Sequence, residues 1–397
     1  MSLVKYCDTN NIPQSVDVTD GSVHTLLTDA SGVAVKQVDN KLRVSSMPYL
    51  YDIAEGNVAN HTKWEKIGYA SVPVTTECDV WSAAGVGSAN YTVPLIATQA
   101  TMRILSNNAA DVGTAIRGDA TTDTVTSDAS TSLTVLTDAD VDFLAGGTVP
   151  AVGDCVILDP HGTVPEWGYI TSIGLHTLTC ANGFSKLGMT GLRKYAVIDY
   201  SPTAGCHAVY VSYLDNTYTP RKEIIVTNSG ANGVLTINAN YFRINSLRVI
   251  AIGSAGKPTG TVAVMDNATP PTIIYSYISA GYTRARNSIY TVPAGKTLYI
   301  TEWHLSFGAN ATNKNDYGRY YIRAAQYTSE DGTVQMRTNV TDGVVIWYNY
   351  AEVVTGNSTA PVHFDCPIRI REKTSLKISG VASGAGIVTS GLRGWLE

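Results

Sequence analysis

The chain has 397 residues, a formal net charge of −5 at pH 7 and only 15% charged residues. Soluble domains usually carry about 25% charged residues. A weakly charged surface is typical of sheets that meet other subunits, where charged groups would lose their hydration. The acidic balance excludes a nucleic-acid partner, because a nucleic-acid surface needs clustered Lys and Arg.

The N-terminal sequence and the cysteines restrict the cellular setting. No apolar run approaches the length of a membrane span, and Met1 to Asn11 lack the apolar core of a signal peptide. We therefore expect no membrane partner and synthesis in a cytosol. The six cysteines form no CxxC pairs, which argues against zinc and predicts reduced, mostly buried thiols.

Residues 1–95 contain few regular strand patterns, and we predict an irregular N-terminal arm for attachment. Glu55, His61 and Glu65 are candidate metal ligands in this region, but Gly56 interrupts the helix that would align them. An arm that packs on a neighbouring subunit through aromatic anchors explains the same stretch without a metal.

From about residue 98 onward, short runs of alternating apolar residues recur between turn residues, which predicts an all-β protein. We assign residues 96–117 plus 204–397 to a jelly-roll-like β-sandwich body. Residues 118–203 interrupt it and read as an inserted small β-barrel or sandwich, facing outward, whose ends lie close together. In the body, Leu247 to Ile252 is apolar on both faces, so a second sheet or a neighbouring subunit should cover each face.

The inserted segment contains a candidate cation site. Asp138, Asp140 and Asp142 have the alternate spacing that opens a calcium loop, but Phe143 and Val149 stand where glycine and glutamate are needed. A surface calcium site of another type stays open. We predict no metal ligands and no cofactor.

The stretch TVPAGKTLYIT, residues 291–301, contains the Gly-Lys-Thr that closes a nucleotide-binding P-loop. The earlier glycine is absent, and the β-branched and aromatic residues after Lys296 favour a strand where a P-loop needs a helix. We predict instead a three-residue hairpin loop with Gly295 in the left-handed conformation.

In the strand that follows, Thr301, Trp303, Leu305 and Phe307 share one face, and Glu302 and His304 lie side by side on the other. The pair fits either an acid–base function or a polar outward face. We favour the polar face, because no further group is seen to converge there. No catalytic residues are predicted.

Six pieces of the chain, taken in order, resemble a family of uncharacterised virion proteins of tailed bacteriophages. The pieces are DIAEGNVANHTKWEKIGY, CDVW, RILSNNAAD, VYVSYLDNTY, FRINSLRVIAIGSAG and YTVPAGKTLYIT. The chain departs from the family pattern by its inserted module and by a shortened segment after CDVW. The resemblance implies a structural component of the particle rather than an enzyme.

We therefore expect a virion structural protein, assembled in the bacterial cytoplasm on the head or on the neck and tail. Its partners would be other virion proteins and copies of itself, in symmetric sets such as trimers. Two other readings stay open: a tail protein that binds a receptor or a host-surface glycan, and a polysaccharide-cleaving enzyme with paired carboxylates. The candidate interface anchors are Trp64, Tyr69, Trp81, Trp303 and Trp347.

Overall fold

The protein is described by a computed structural model. The described residues are 4–7, 13–16, 52–56, 58–72, 78–80, 98–118, 130–132, 134–146, 149–181, 184, 194–200, 204–228, 230, 232–309, 317–326, 346–355, 358–384 and 386–397. The chain divides into two compact units, Met1–Asp52 and Ile53–Glu397.

Strands make up most of the regular structure in the described residues. In chain order, the first twelve are β1 (Val4–Cys7), β2 (Pro13–Val16), β3 (Thr62–Val72), β4 (Cys78–Asp79), β5 (Arg103–Ser106), β6 (Ala115–Gly118), β7 (Ser130–Ser132), β8 (Val135–Thr137), β9 (Cys155–Leu158), β10 (Glu166–Ile173), β11 (Thr177–Ala181) and β12 (Tyr195–Ile198). The others are β13 (Cys206–Leu214), β14 (Pro220–Val226), β15 (Val234–Leu235), β16 (Arg243–Ile252), β17 (Val262–Met265), β18 (Ile274–Ile278), β19 (Tyr290–Thr291), β20 (Leu298–Ala309), β21 (Tyr317–Gln326), β22 (Ile346–Thr355), β23 (Ser358–Ile370), β24 (Thr374–Ala382) and β25 (Gly386–Leu396).

The prediction of an all-β fold is confirmed. The described residues form antiparallel sheets, with one helical turn at residues 52–54. In the smaller unit, β1 pairs with β2. All other strands belong to the larger unit, where they form two sandwiches and a sheet from the inserted segment.

Two sheets form the first sandwich: a middle sheet of order β14-β13-β16 and a cover sheet of order β15-β5-β17-β18. Their facing sides share one hydrophobic core, to which Ile104 and Val264 contribute from the cover sheet and Val209, Val211 and Leu247 from the middle sheet. Side chains alternate along a strand, so every second residue of β13 enters this core.

The inserted segment forms a seven-stranded module sheet of order β6-β12-β9-β10-β11-β8-β7. Ile157 and Ile198 on one face pack against Tyr210, Ile224 and Ile250 of the middle sheet. The other face packs within the module, on a cluster that includes Leu136, Phe143, Val156, Leu158, Leu178 and Val197. The module therefore covers the side of the middle sheet that the cover sheet leaves open.

This packing explains why Leu247 to Ile252 is apolar on both faces. Leu247 belongs to the core shared with the cover sheet, and Ile250 and Ala251 belong to the cluster shared with the module. The sequence indicated that something covers each face, and the structure shows a sheet of the same chain on both. At the module's ends, Gly118 lies opposite Ala196 in the β6–β12 pair.

The second sandwich consists of an inner sheet and an outer sheet. The inner sheet has the order β19-β24-β21-β22, with β4 also paired to β24, and the outer sheet has the order β23-β20-β25-β3. Trp303, Leu305 and Phe307 of β20 pack against Tyr320 and Ile322 of β21 in a single core. The range assigned to one sandwich body thus contains two separate hydrophobic cores.

One part of the predicted N-terminal arm is regular. Residues Thr62–Val72 pair with β25 along their full length, from Thr62 opposite Leu396 to Val72 opposite Gly386. The sequence did not predict this strand, because Lys66 occupies an inward position between Trp64 and Gly68. The alternation of inward and outward side chains along a strand would require an apolar residue there.

The turn at residues 293–295 is present, but it does not close a hairpin. The amide of Lys296 donates to the carbonyl of Pro293 at 3.3 Å, and Gly295 has φ +70°, as predicted. The strands on either side belong to different sheets, because β19 pairs with β24 while β20 pairs with β23 and β25. The predicted hairpin is therefore a crossover between the two layers of the second sandwich.

Candidate functional site

The solvent side of the outer sheet, which we call the outer face, brings together polar groups from distant parts of the chain. In β20, Trp303, Leu305 and Phe307 are buried, whereas Glu302 and His304 point outward. The sequence prediction for the two faces of this strand is confirmed from Glu302 onward. Thr301 was expected on the buried face, but it lies at a register shift next to Glu302 and is only partly buried. The alternation follows from the strand period of two residues.

Antiparallel register places four ionisable residues in one line across the outer face. Glu302 lies opposite His363 of β23 and opposite Arg393 of β25, and Arg393 lies opposite Glu65 of β3. We call this line, His363–Glu302–Arg393–Glu65, the charge row. It alternates a basic and an acidic side chain across all four strands.

The contacts along the charge row are close but exposed. Arg393 Nε donates to Glu65 Oε1 at 3.3 Å, and its Nη1 lies 3.6 Å from Glu302 Oε2. His363 Nδ1 lies 3.9 Å from Glu302 Oε1. The Arg393 and His363 side chains are 48% and 70% exposed, so each pair within the chain contributes less than about 1 kcal/mol.

His304 approaches the charge row from the next row along the strands. Its Nε2 lies 2.9 Å from Glu302 Oε1. This atom is shielded from water and makes no hydrogen bond to the part of the chain that the structure describes. The contact with Glu302 is therefore an electrostatic one. Glu302 thus has two imidazoles and a guanidinium around one carboxylate.

A depression of about 180 Å³ lies beside the charge row. It forms at Gly391, which stands between His304 and Ile67 in the register of the sheet. A Cβ at this position would lie 3.2 Å from both Ile67 Cγ1 and the Lys66 carbonyl oxygen. The walls of the depression come from Glu65, Ile67, His304, Ser306, Thr359, Thr389 and Arg393.

The three candidate anchors whose side chains are described differ in burial. Trp64 is 6% exposed and Trp303 is fully buried, both in the core of the second sandwich. These two predictions need correction, because a side chain packed in its own core leaves no surface for a partner. Tyr69 is partly exposed on β3 and lies in the outer sheet. Trp81 and the side chain of Trp347 lie outside the described residues.

The candidate cation sites have local roles. Asp138 accepts hydrogen bonds from the Tyr195 hydroxyl at 2.8 Å and the Asp140 amide at 3.1 Å, and Asp142 accepts from the Leu144 amide. Of the earlier set, Glu65 contacts Arg393 instead of a common metal position. Within the described ranges, no three His, Cys, Asp or Glu side chains are arranged to hold a metal ion.

A buried lysine was missed by sequence reasoning. Lys66 points inward from β3, donates to the Asn245 carbonyl, and donates to Asn287 Oδ1 at 3.2 Å. These two partners belong to the first sandwich and to the segment that follows it, so Lys66 links the two sandwiches. Some surface of the residue stays accessible, but its amine is enclosed, and burial lowers the pKa of Lys66 to about 7.

Two buried carboxylates were also missed. Asp111 accepts from the Ser106 hydroxyl and from the amides of Cys206, Thr259 and Gly260, at 2.6–2.9 Å. Glu223 accepts from His161 of the module at 2.9 Å and from the Tyr241 hydroxyl at 2.6 Å. Both are fully buried, and their partners satisfy them as structural groups. No local pattern marks them, since most of their partners, such as Gly260 for Asp111 and His161 for Glu223, are distant in sequence.

Three of the described cysteines are packing residues. Cys155, Cys180 and Cys206 are buried free thiols, and Cys366 is exposed. Burial raises the pKa of Cys180 to about 11 and raises the pKa of Cys155 and Cys206 further. A raised pKa leaves little thiolate, so these three side chains are unreactive.

Comparison with known proteins gives little. No family model and no curated protein matches the chain. Among solved structures, a chain from a crystal structure of the T13 IBDV viral particle aligns over 76% of this chain and 74% of its own length, at 11% identity and a TM-score of 0.15. That TM-score is too low to carry a conclusion about this chain. Over the described residues, no helix is long and apolar enough to cross a membrane.

Proposed function

We propose that this chain is a non-enzymatic structural protein of a tailed-phage virion, on the head or on the neck and tail, and that it works by contacts between subunits. The resemblance of its ordered sequence pieces supports the virion assignment. The observation that carries the contact function is the outer face, a broad four-stranded surface on which basic and acidic side chains alternate.

The chemistry of the outer face suits contact better than catalysis. Glu302 already contacts the Arg393 guanidinium and the His304 imidazole, and Ile67 and Ile387 on the same sheet are 42% and 46% exposed. Exposed apolar side chains beside polar groups are typical of surfaces that bind another protein. A closed symmetric set of copies would cover such surfaces.

The test is the presence of the chain in mature particles. Virions of the phage that encodes it are purified by density gradient, analysed by mass spectrometry, and examined by electron microscopy with an antibody to the chain. We expect the polypeptide in fixed copy number and the antibody at one station of the particle. A chain that remains in the lysate and is absent from infectious particles contradicts the proposal.

The depression at Gly391 favours one second candidate, a receptor- or glycan-binding tail protein. Hydroxyl, imidazole and guanidinium groups around an apolar floor suit a sugar ring. The full chain is the right sample for a glycan array, because an isolated module would expose Ile157 and Ile198, which pack on the middle sheet. Glycan binding that Gly391→Leu abolishes would support this candidate, and a blank array would remove it.

A further inference from the structure

The outer face is self-complementary, and we propose that it is a two-fold contact between two copies of this chain. The inference deepens the proposed function and rests on it for its biological setting, whereas the geometry comes from the outer sheet alone. The occupant of the face is a second copy of the same face.

The charge row is the first reason. Consider a two-fold axis that runs parallel to the strands, between the two faces and above the space between β20 and β25. The second copy then presents its row in reverse order. Glu302 faces Arg393 of the second copy, and His363 faces Glu65 of the second copy, so every charge meets an opposite or neutral group.

The neighbouring row adds a match of shape. This row is Pro361–His304–Gly391–Ile67. The same axis places His304, whose side chain is 34% exposed, over the depression at Gly391 of the second copy. Ile67 faces Pro361 of the second copy. An isologous interface contains each of these contacts twice.

The dimensions of the face are sufficient. The strands β3 and β25 have 11 residues each, about 36 Å at 3.3 Å per residue, and four strands span about 19 Å. One copy therefore offers about 700 Å², close to the roughly 800 Å² per partner of a standard interface. Two such faces pack about 10 Å apart with their strands nearly aligned.

One row near the end of the outer face brings like charges together in the proposed contact and weakens it slightly. Arg369 and Lys63 stand at the two edges of the row Arg369–Tyr299–Trp395–Lys63. The axis brings Lys63 of one copy towards Arg369 of the other. Both side chains are exposed at the rim, where water and salt screen the repulsion.

The experiment uses charge exchange between two variants of the full chain. Molar mass is measured by light scattering after gel filtration at low ionic strength. We expect the wild type to have the mass of two chains or an even multiple. Arg393→Glu places two carboxylates together at both symmetric positions, so it raises the dissociation constant at least about 100-fold and halves the mass. Glu302→Arg places two guanidinium groups together and does the same.

Mixing the two variants is the decisive arm. In a mixed pair, Glu at 393 faces Arg at 302 of the other chain, and the wild-type Glu302 and Arg393 face each other, so we expect the mass to recover. A charge row that acted only within one chain would not be rescued by mixing. Arg284→Glu changes an exposed arginine outside the outer sheet and should keep the wild-type mass.

Three results overturn the proposal. One is a wild type that is monomeric at every soluble concentration. Another is an assembly whose mass Arg393→Glu and Glu302→Arg leave unchanged. The third is a mixture of the variants that stays dissociated while circular dichroism shows both to be folded. Each is distinguishable from failure of the virion assignment, which is tested on purified particles.

Discussion

The middle sheet and the outer sheet each form one layer of a sandwich, but they differ in what covers the face that points away from the sandwich core. Eight of the nine residues of β13 in the middle sheet are buried, because the module covers its second face. In β25 of the outer sheet, Ile387 and Arg393 are exposed between buried residues such as Val388 and Leu392. The sequence pattern of a strand therefore reports how many of its faces are covered.

The same contrast separates structural charges from surface charges. Asp111 in the first sandwich is sealed from water and holds three backbone amides and a hydroxyl. Glu302 on the outer face contacts basic groups that remain partly solvated. A buried, hydrogen-bonded carboxylate contributes to folding, whereas an exposed row of charges contributes mainly to the choice of partner.

The largest effect is expected from Asp111→Ala. Removal of the carboxylate leaves buried amide donors without acceptors, so the free energy of unfolding should fall by about 3–5 kcal/mol. Glu302→Ala is the surface control and should change it by less than about 1 kcal/mol. Denaturant titration followed by circular dichroism measures both variants. Equal losses in the two would mean that the contrast between these carboxylates is wrong.

A matched pair of substitutions compares the second face of each sheet directly. Ile250→Asn places an amide between the middle sheet and the module, and we expect a loss of about 2–4 kcal/mol in the free energy of unfolding. Ile67→Asn on the outer face removes an exposed side chain and should cost at most about 0.5 kcal/mol. Thermal unfolding at low protein concentration, where any pair of copies is dissociated, measures both. A tolerated Ile250→Asn would argue that the module does not cover the middle sheet.

Lys66 predicts a dependence of stability on pH. The pKa of its amine is about 7 in the folded chain and 10.5 when exposed. Between these values the unfolded chain binds a proton that the folded chain does not, so the free energy of unfolding rises with pH across this window, by at most about 1.4 kcal/mol per unit. Lys66→Met should flatten this rise and raise the stability at pH 7. Urea titrations from pH 7 to pH 9 measure both slopes, and parallel slopes would contradict a buried amine.

The smallest effect concerns the rim of the outer face. Lys63→Glu replaces a like-charge contact with Arg369 of the second copy by an opposite-charge contact, at both symmetric positions. We expect the dissociation constant of the pair to fall about threefold to tenfold. Sedimentation equilibrium measures the change, and a weaker pair would rule out this register of the two faces.

Local sequence predicts part of the site. The alternation in β20 places Glu302 and His304 on one face because the strand period holds wherever the strand lies. It does not reveal His363, Arg393 or Glu65, which reach Glu302 only through the register of three other strands. The sequence distance between Glu302 and Glu65 carries no information about that register.

The N-terminal region contains a strand that the local sequence pattern did not predict. Residues 62–72 read as irregular because Lys66 breaks the apolar alternation, and the position of Lys66 makes sense only beside Asn245 and Asn287 of another part of the fold. Trp64 and Trp303 read as possible anchors because tryptophan is common both in cores and in interfaces. Burial in the second sandwich decides between the two for these residues.

The sequence by itself determined the all-β class, the recurring strands after about residue 98, the turn at Gly295 and the faces of β20 from Glu302 onward, because each depends on side-chain alternation or backbone freedom within a few residues. Tertiary structure alone decided which sheets those strands join, that the module covers the middle sheet, and that four charges align on the outer face. Register between distant strands is set by the packing of whole faces, and no short stretch of sequence contains it.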